Sequence, residues 1–267
     1  MSVQTLYTAA TGMEAMQTKL DVIANNLANV NTTGFKKGRA NTEDLFYRHY
    51  KFPGAQDSQQ NPTATGTSVG LGTKIQSIQT KFAQGAFQDT GSPLDVAIEG
   101  QGFFQVQDPF TGQSVYTRAG NFSINANNQL VIGSAATGRL LVPNITLPVD
   151  TTAVSITADG RVLAQQAGQQ QLAQQGQLEL ASFPNPEGLL KLGENLYSIT
   201  DSSGQALPST PGLQGLGVLR QGFLEASNVE PVSELIDLIT TQRSFELNSQ
   251  AIQAGDQILQ LISNLRR

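Results

Sequence analysis

The sequence predicts an α+β fold in which helices at both ends of the chain flank a β-rich middle region. Three observations support this: an apolar repeat at helical spacing near each end, and short apolar runs separated by turn residues between them. We predict that the terminal helices form a coiled-coil inner domain and that the middle forms a sandwich-like or barrel-like outer domain. The predicted divisions are an N-terminal helix at 1–34, an extended connecting segment at 35–72, the β-rich domain at 73–227 and a C-terminal helix at 228–267.

The N-terminal repeat begins at Leu6 and steps alternately by three and four positions as far as Val30. This spacing places the apolar side chains on one face of a helix. No proline precedes Pro53, so a single helix can run to about Val30. The cluster from Asn31 to Gly34 then predicts its end, because Gly34 is free to adopt a positive φ.

A second stripe of small, uncharged residues follows the other side of the same helix. Its members are Thr11, Ala15, Thr18, Val22, Asn25 and Asn29. A helix face in water normally carries Glu and Lys, so we predict that this face packs against neighbouring copies of the chain. The amides of Asn25 and Asn29 would then bond to those neighbours. A solvated, amide-rich face is the alternative.

The C-terminal repeat follows Pro231, a favourable first residue of a helix. Leu247, Ala251, Ala254, Ile258, Leu261 and Leu265 step by four and three positions, and no proline interrupts residues 232 to 265. Gly255 costs about 1 kcal/mol of helix propensity relative to alanine but permits close approach of another helix. From both helices, the predicted subunit-interface residues are Leu6, Thr11, Met13, Ala15, Thr18, Leu20, Val22, Asn25, Asn26, Leu27, Asn29, Phe245, Leu247, Ile252, Ile258, Leu261 and Leu265.

The middle region contains short strand-like runs. Strands are predicted at 95–98, 103–106 and 115–118, and Asp159-Gly160 predicts a hairpin between 155–157 and 162–163. Residues 165–177 hold eight glutamines, which predicts a solvated hairpin with a glutamine-rich tip.

The connecting segment begins with aromatic and basic residues that alternate between Phe46 and Phe52. Such a pattern can bind single-stranded nucleic acid. The chain has a net charge of −5 and a pI near 4.9, so contact with protein is favoured over contact with nucleic acid. The predicted intersubunit residues of this segment are Phe46, Tyr47, Tyr50, Phe52 and Pro53.

The composition indicates a structural protein rather than an enzyme. Charged residues make up 14% of the chain, well below the roughly 25% that is usual, and cysteine is absent. His49 is the only histidine, and Gly70 to Lys74 lacks the spacing of a phosphate-binding loop. We predict no catalytic, cofactor-binding or metal-binding residues. No apolar run is long enough to cross a membrane, and we expect export without a cleaved signal peptide.

Several separated stretches resemble the bacterial flagellar rod and hook family. ANNLANVNTTGFK at 24–36 is similar to the N-terminal signature of that family, and DVAIEGQGFFQV at 95–106 with YTRAGNF at 116–122 is similar to its central motif. LEASNVEPVSELIDLITTQRSFELNSQAI at 224–252 resembles its C-terminal signature. The chain length and FPGAQDSQQNPT at 52–63 are closest to the distal-rod branch of the family.

The resemblance implies a structural subunit of a helical tube that crosses the periplasm as a drive shaft and export channel. The implied partners are other copies of the chain, the proximal rod and hook proteins, the surrounding P and L rings and the flagellar type III export apparatus. The implied location is the basal body, from the periplasm to the outer membrane, without membrane insertion. A proximal rod subunit, a hook subunit, and a secreted coiled-coil interaction or adhesion module are the alternatives.

Overall fold

Helices stand at both ends of the chain and strands lie between them in sequence. The computed structural model describes residues 3–54, 65–109, 112–169 and 171–265. Helix α1 spans Val3–Ala28 and helix α2 spans Pro231–Leu265. The chain divides into two compact units: unit 1 comprises residues 1–28, 38–80 and 230–267, and unit 2 comprises residues 29–37 and 81–229. The predicted α+β class is thereby confirmed.

Among its described residues, unit 1 contains both helices and four strands. The strands are β1 (Gly38–Asp44), β2 (Tyr47–Lys51), β3 (Thr67–Gly70) and β4 (Thr73–Thr80). β1 pairs antiparallel with β4, and β2 pairs antiparallel with β3. Helix α2 begins at Pro231 as predicted, because the first residues of a helix need no N–H for the helical ladder.

Unit 2 is built from short strands and one turn of 3₁₀ helix at Pro186–Gly188. Its strands are β5 (Phe87–Asp89), β6 (Val96–Glu99), β7 (Phe103–Gln107), β8 (Ser114–Thr117), β9 (Phe122–Ile124), β10 (Leu130–Ile132), β11 (Arg139–Val142), β12 (Thr151–Ile156), β13 (Arg161–Gln166), β14 (Leu172–Gln177), β15 (Leu180–Ser182), β16 (Leu190–Gly193), β17 (Leu196–Ser198), β18 (Leu207–Ser209), β19 (Val218–Gln221) and β20 (Phe223–Glu225). The predicted strands near 95–98, 103–106 and 115–118 are confirmed as β6, β7 and β8.

The largest sheet of unit 2 has nine strands in the order β16-β17-β8-β7-β11-β10-β9, with β15 pairing with both β7 and β18. β12-β13-β14 form a second sheet, and β6–β19 and β5–β20 form two-stranded ribbons. Within the described ranges the large sheet stays open, because β16 and β9 lie at its opposite ends. The barrel-like alternative is therefore wrong: closure needs edge strands that pair along their length, and β9 has only three residues.

The core of unit 2 lies on both faces of the large sheet. Successive residues of a strand point to opposite faces, so Phe104 belongs to the larger apolar cluster and Phe103 to a smaller one. The larger cluster also includes Ile156 and Val162 from the three-stranded sheet. The smaller cluster is aromatic, with Phe103 and Phe183 in edge-to-face contact at 5.5 Å between ring centroids.

The predicted turns at Gly34 and at Gly160 are confirmed. Gly34, after α1, has φ +69°, and Gly160, between β12 and β13, has φ +87°. Asn128 has φ +58° at the turn between β9 and β10, where asparagine tolerates the left-handed conformation. The glutamine-rich hairpin is formed by β13 and β14, as predicted.

Candidate subunit-assembly surfaces

One face of α1 approaches α2 closely at two glycines. A Cβ on Gly12 would lie 3.0 Å from Asn248 Nδ2, and a Cβ on Gly255 would lie 2.7 Å from Leu6 Cδ2. Glycine therefore permits the close approach at both points, as the sequence predicted for Gly255. Along the N-terminal repeat, Ile23 is buried and the other apolar members, Leu6, Ala9, Met13, Met16, Leu20, Leu27 and Val30, are half-buried.

The small-residue stripe of α1 is covered in part by strands of the same chain. Thr73 N–H donates to Thr11 Oγ1 at 3.4 Å. Val22 Cγ1 lies beside Gly38, and Ala15 is only 1% exposed. Thr18 is half-buried. The burial of Ala15 thus needs no neighbouring copy, which differs from the reason that the sequence suggested.

The asparagines at the end of α1 occupy different environments. Asn26 is buried, and its amide pairs with the backbone of Gly38: Nδ2 donates to the carbonyl oxygen, and Oδ1 accepts from the N–H, both at 2.9 Å. The same Nδ2 donates to the buried Glu234 Oε2 at 3.1 Å. Asn25 is exposed, and half-buried Asn29 accepts a bond from Thr32 Oγ1 at 3.1 Å. The buried amide is thus Asn26, and the sequence had suggested Asn25 and Asn29.

Helix α2 exposes many apolar side chains. Val232 is 70% exposed, Ile236 57% and Ile239 55%, and these positions lie along one side of the helix. Leu247 and Leu261 of the predicted C-terminal repeat are also exposed, whereas Ile258 is half-buried. Phe245 and Ile252 are half-buried as well. The side chain of Leu265 lies outside the described residues.

The strands β2 and β3 carry a group of exposed aromatic rings. Phe46, Tyr47, Tyr50 and Phe52 are all at least half exposed, and Pro53 is exposed as well. His49 stacks on Phe52 with 5.2 Å between ring centroids. A hydrogen bond to Asp44 raises the pKa of Tyr47. Most of the stretch 52–63 that resembled the distal-rod branch lies outside the described residues.

Unit 2 contains a buried charge cluster that no local sequence pattern predicts. Lys36 and the Glu225 side chain are fully buried, and the Arg118 side chain is 4% exposed. Glu225 Oε1 accepts bonds from Lys36 Nζ at 2.6 Å and Gly85 N–H at 2.9 Å, and Oε2 accepts from Arg118 Nε at 3.0 Å. Burial lowers the pKa of Lys36, and the charge of Arg118 lowers it further against the opposing effect of Glu225.

The three residues of this cluster come from three different sequence motifs. Lys36 ends the motif at 24–36, Arg118 lies in the motif at 116–122, and Glu225 lies in the motif at 224–252. Gly34 N–H also donates to the Glu225 carbonyl oxygen at 2.7 Å. Asn228 adds further links: its Oδ1 accepts from Lys37 N–H at 2.8 Å, and its Nδ2 donates to Lys81 O at 2.8 Å and to Ala83 O at 3.1 Å. The three motifs, which are far apart in the sequence, therefore come together around Glu225 in the folded chain.

Comparison with known proteins shows what these motifs represent. Residues 6–36 match the family model of flagella basal body rod proteins, residues 97–164 match the D1 domain of the flagellar hook proteins FlgE/F/G, and residues 220–265 match the C-terminal region of the flagellar basal body rod proteins FlgEFG. The chain is 45% identical to the flagellar basal-body rod protein FlgG of Caulobacter vibrioides, covering 98% of this chain and 99% of that protein.

The chain belongs to the flagellar basal-body rod and hook family. The FlgG proteins of Buchnera aphidicola from Acyrthosiphon pisum and of Bacillus subtilis are 43% and 40% identical to it, over 98% and 99% of this chain and 100% and 99% of theirs. The chain is a structural subunit of the flagellar distal rod, and the family is not catalytic. In the described part of the chain, no helix combines the length and apolar character needed to cross a membrane.

Proposed function

We propose that copies of this rod protein assemble into a helical tube that serves as a drive shaft and as a channel for exported proteins. The tube would run in the basal body from the periplasm to the outer membrane. Its proposed neighbours are the proximal rod and hook proteins at its ends and the P and L rings around it. The subunits would leave the cell through the flagellar type III export apparatus, without a cleaved signal peptide.

The observation that supports self-assembly is the exposed apolar face at the start of α2. Val232, Leu235, Ile236 and Ile239 leave between 45% and 70% of their surface exposed within two turns of helix. Scattered apolar residues are ordinary on a protein surface, but a contiguous apolar face indicates contact with another protein. In a polymer, a neighbouring subunit would cover this face in every copy. The contact would join two different surfaces, so the subunits would form an open filament rather than a closed ring.

The inner domain of the tube would be a coiled coil of α1 and α2, with residues 1–34 and 228–267 as its two parts. The exposed Leu247 and Leu261 continue the apolar surface of α2 toward its end. We assign the predicted interface residues of both helices to this contact as a proposal. For Ala15 and Asn26 the proposed contact is indirect, because their own chain already buries both residues.

The aromatic segment around β2 would form a second contact. Phe46 is 88% exposed and Phe52 is 64% exposed. Covering these rings in an assembly would remove aromatic surface from water and would stabilise the contact. We propose that residues 35–72, with Tyr47, Tyr50 and Pro53, lie on an adjacent subunit while residues 73–227 form the outer domain.

Substitution on the apolar face of α2 tests the proposal. Ile236→Glu and Ile239→Glu place charges where a neighbouring helix would bury them, which costs several kcal/mol for each subunit. We expect both variants to stay monomeric on concentration while the unaltered protein forms filaments visible by electron microscopy. Thr240→Glu is the control, because Thr240 is also exposed on this helix but is polar.

The same experiment has an outcome that contradicts the proposal. A discrete oligomer of the unaltered protein, with no filaments at any concentration, would contradict assembly into a helical tube. The location of a tagged copy in isolated basal bodies tests the proposed span from the periplasm to the outer membrane.

A further inference from the structure

Residues 216–228 form a strap at the end of the unit 2 sequence, which we call the C-terminal strap. It contains β19, which pairs antiparallel with β6, and β20, which pairs antiparallel with β5. Leu216 and Leu219 of the strap are buried in the larger apolar cluster. Every other described member of that cluster precedes the strap in the sequence. The core of unit 2 is therefore incomplete until the strap is present.

The strap also supplies hydrogen bonds to the three-stranded sheet. Gln221 Nε2 donates to the carbonyl oxygen of Val154 at 2.9 Å, and Gln221 Oε1 accepts from the N–H of Ile156 at 3.1 Å. The N–H of Leu219 donates to the carbonyl oxygen of Ala158 at 3.0 Å. Ile156 is buried, and a buried backbone group that loses its partner is destabilising. The edge of β12 thus depends on the strap for its hydrogen bonds.

Glu225 of the strap provides the negative charge of the buried cluster. The other printed acceptors of the two cations are neutral carbonyl oxygens: Lys36 Nζ donates to Ala83 O and Arg118 Nη1 donates to Gly102 O, both at 2.8 Å. Among the described residues, no second carboxylate pairs with either cation. A buried cation without its counter-charge is strongly destabilising, so the cluster requires the strap.

The two cations stand in segments that precede the strap by many residues. The Arg118 guanidinium lies 5.9 Å from the centroid of the buried Phe103 ring, and Lys36 is fully buried. Because a chain is synthesised from its N-terminus, Lys36 and Arg118 are both present long before Glu225. An unfinished unit 2 therefore contains the two cations and lacks the anion that they share.

We propose that the C-terminal strap is a conformational lock: unit 2 folds and opens as one cooperative body, and it does not fold before residues 216–228 are in place. The core side chains, the hydrogen bonds to β12 and the shared carboxylate all favour this behaviour. In a subunit that leaves the cell, the lock would delay the folding of unit 2 until the chain is nearly complete. In that consequence the inference rests on the proposed export.

Amide hydrogen exchange on the dilute, full-length monomer tests the lock. The N–H of Ala226 in the strap donates to Ala86 O at 2.8 Å, and the N–H of Leu130 in β10 donates to Ile145 O at 3.0 Å. The urea dependence of exchange reports how much surface each opening exposes. In moderate urea, below the unfolding transition, we expect the two amides to show the same protection factor and the same urea dependence.

Opening of the strap by itself would give a different result. Ala226 would then be protected about tenfold less than Leu130 or worse, with a weaker urea dependence, because only a small surface is exposed. That result would overturn the inference.

Glu225→Gln tests the part played by the shared carboxylate. We expect the protection factors of Ala226 and Leu130 to fall by the same factor, about 100-fold or more, because both amides exchange through one opening. Glu179→Gln is the matched control, since Glu179 is exposed in the same unit, and it should change neither factor by more than about threefold. Loss of protection at Ala226 with Leu130 still protected would overturn the lock. If Glu225→Gln does not fold, the urea series on the unaltered protein decides.

Lys36→Met added to Glu225→Gln tests whether the buried charges matter. The second substitution removes one of the two unpaired cations, so the protection of Leu130 should recover about tenfold relative to Glu225→Gln. Equal or lower protection in the double variant would show that unit 2 does not depend on the counter-charge and would overturn this part of the lock.

Failure of this inference is distinguishable from failure of the proposed function. The exchange measurements use the monomer, so separate opening of the strap would leave assembly and export unaffected. Failure of the proposed function would appear in the filament experiment instead.

Discussion

Lys36 Nζ and Glu225 Oε1 lie 2.6 Å apart with both side chains fully buried, although 189 positions separate them in the sequence. Arg118 shares the same carboxylate through Oε2. Two cations and one anion therefore occupy an interior site, and the carboxylate is the group that holds the other two. A buried charge is strongly destabilising when its counter-charge is removed, so this site is sensitive to changes at Glu225.

Glu225→Gln removes the negative charge and preserves the size of the side chain. We expect the free energy of unfolding to fall by about 3–5 kcal/mol, because Lys36 and Arg118 are then left buried without a counter-charge. Urea unfolding followed by circular dichroism measures the change. Glu194→Gln is the control: the Glu194 side chain is 72% exposed and pairs with Arg139 at the surface, where such pairs contribute at most about 1 kcal/mol. Equal losses in the two variants would contradict this prediction.

Gly34 and Gly112 offer a matched pair for testing close packing. They have nearly the same backbone conformation, with φ +69° and φ +68°. A Cβ on Gly34 would lie 2.9 Å from the backbone nitrogen of Ala119, whereas a Cβ on Gly112 would meet no atom of the described residues within 4 Å. The left-handed conformation destabilises an alanine at either site by roughly 1–2 kcal/mol.

We therefore expect Gly34→Ala to destabilise the protein more than Gly112→Ala, since only the first also displaces backbone atoms. The difference between their unfolding free energies isolates the steric cost. Equal losses of unfolding free energy in the two variants would mean that the backbone near Ala119 accommodates the added methyl group without a measurable cost.

Two buried tyrosines should make the protein less stable at alkaline pH. Burial raises the pKa of Tyr116 and of Tyr197 above the ordinary value of 10.0. The folded protein then keeps protons that the unfolded chain releases, so the stabilisation is complete below pH 10 and is lost as the pH rises toward the folded-state values. The free energy of unfolding should fall by up to about 1.4 kcal/mol per pH unit for each of the two groups.

Unfolding measured from neutral to alkaline pH tests this dependence. In Tyr116→Phe with Tyr197→Phe the slope above pH 10 should be reduced, because those two phenols no longer titrate. Tyr50→Phe is the control, since Tyr50 is 59% exposed. If the unfolding free energy of the double variant fell with pH as steeply as that of the unaltered protein, the alkaline sensitivity would come from other groups.

The helices and most of the strands could be predicted because their patterns are local. Helix α1 follows from the spacing of its apolar residues, and β6 and β7 follow from apolar runs bounded by glycine. Which segment or subunit covers a given face of a helix or strand depends on the tertiary structure and cannot be predicted from local sequence. A small, uncharged residue such as Ala15 is equally suited to burial against a neighbouring subunit and to burial within its own chain.

The charge cluster was missed for a related reason. A lysine, an arginine and a glutamate far apart in sequence look like ordinary surface residues, and only folding brings them together. The available signal was their position: Lys36 follows Phe35, and Arg118 and Glu225 each stand within stretches with few other charges. The sheet order was also beyond the sequence, because pairings such as β15 with β7 join distant segments.

Ala15→Glu distinguishes the two explanations for the uncharged face of α1. Ala15 is 1% exposed within its own chain, so a glutamate there would bury an unpaired charge in unit 1 even before assembly. We expect the dilute monomer to lose helix content and thermal stability, with assembly failing as a consequence. Ala10→Glu is the matched control, since Ala10 is exposed on the same helix and should tolerate the change within about 0.5 kcal/mol. If the Ala15→Glu monomer instead kept its helix content and only assembly failed, neighbouring subunits rather than the strands of the same chain would be what this face requires.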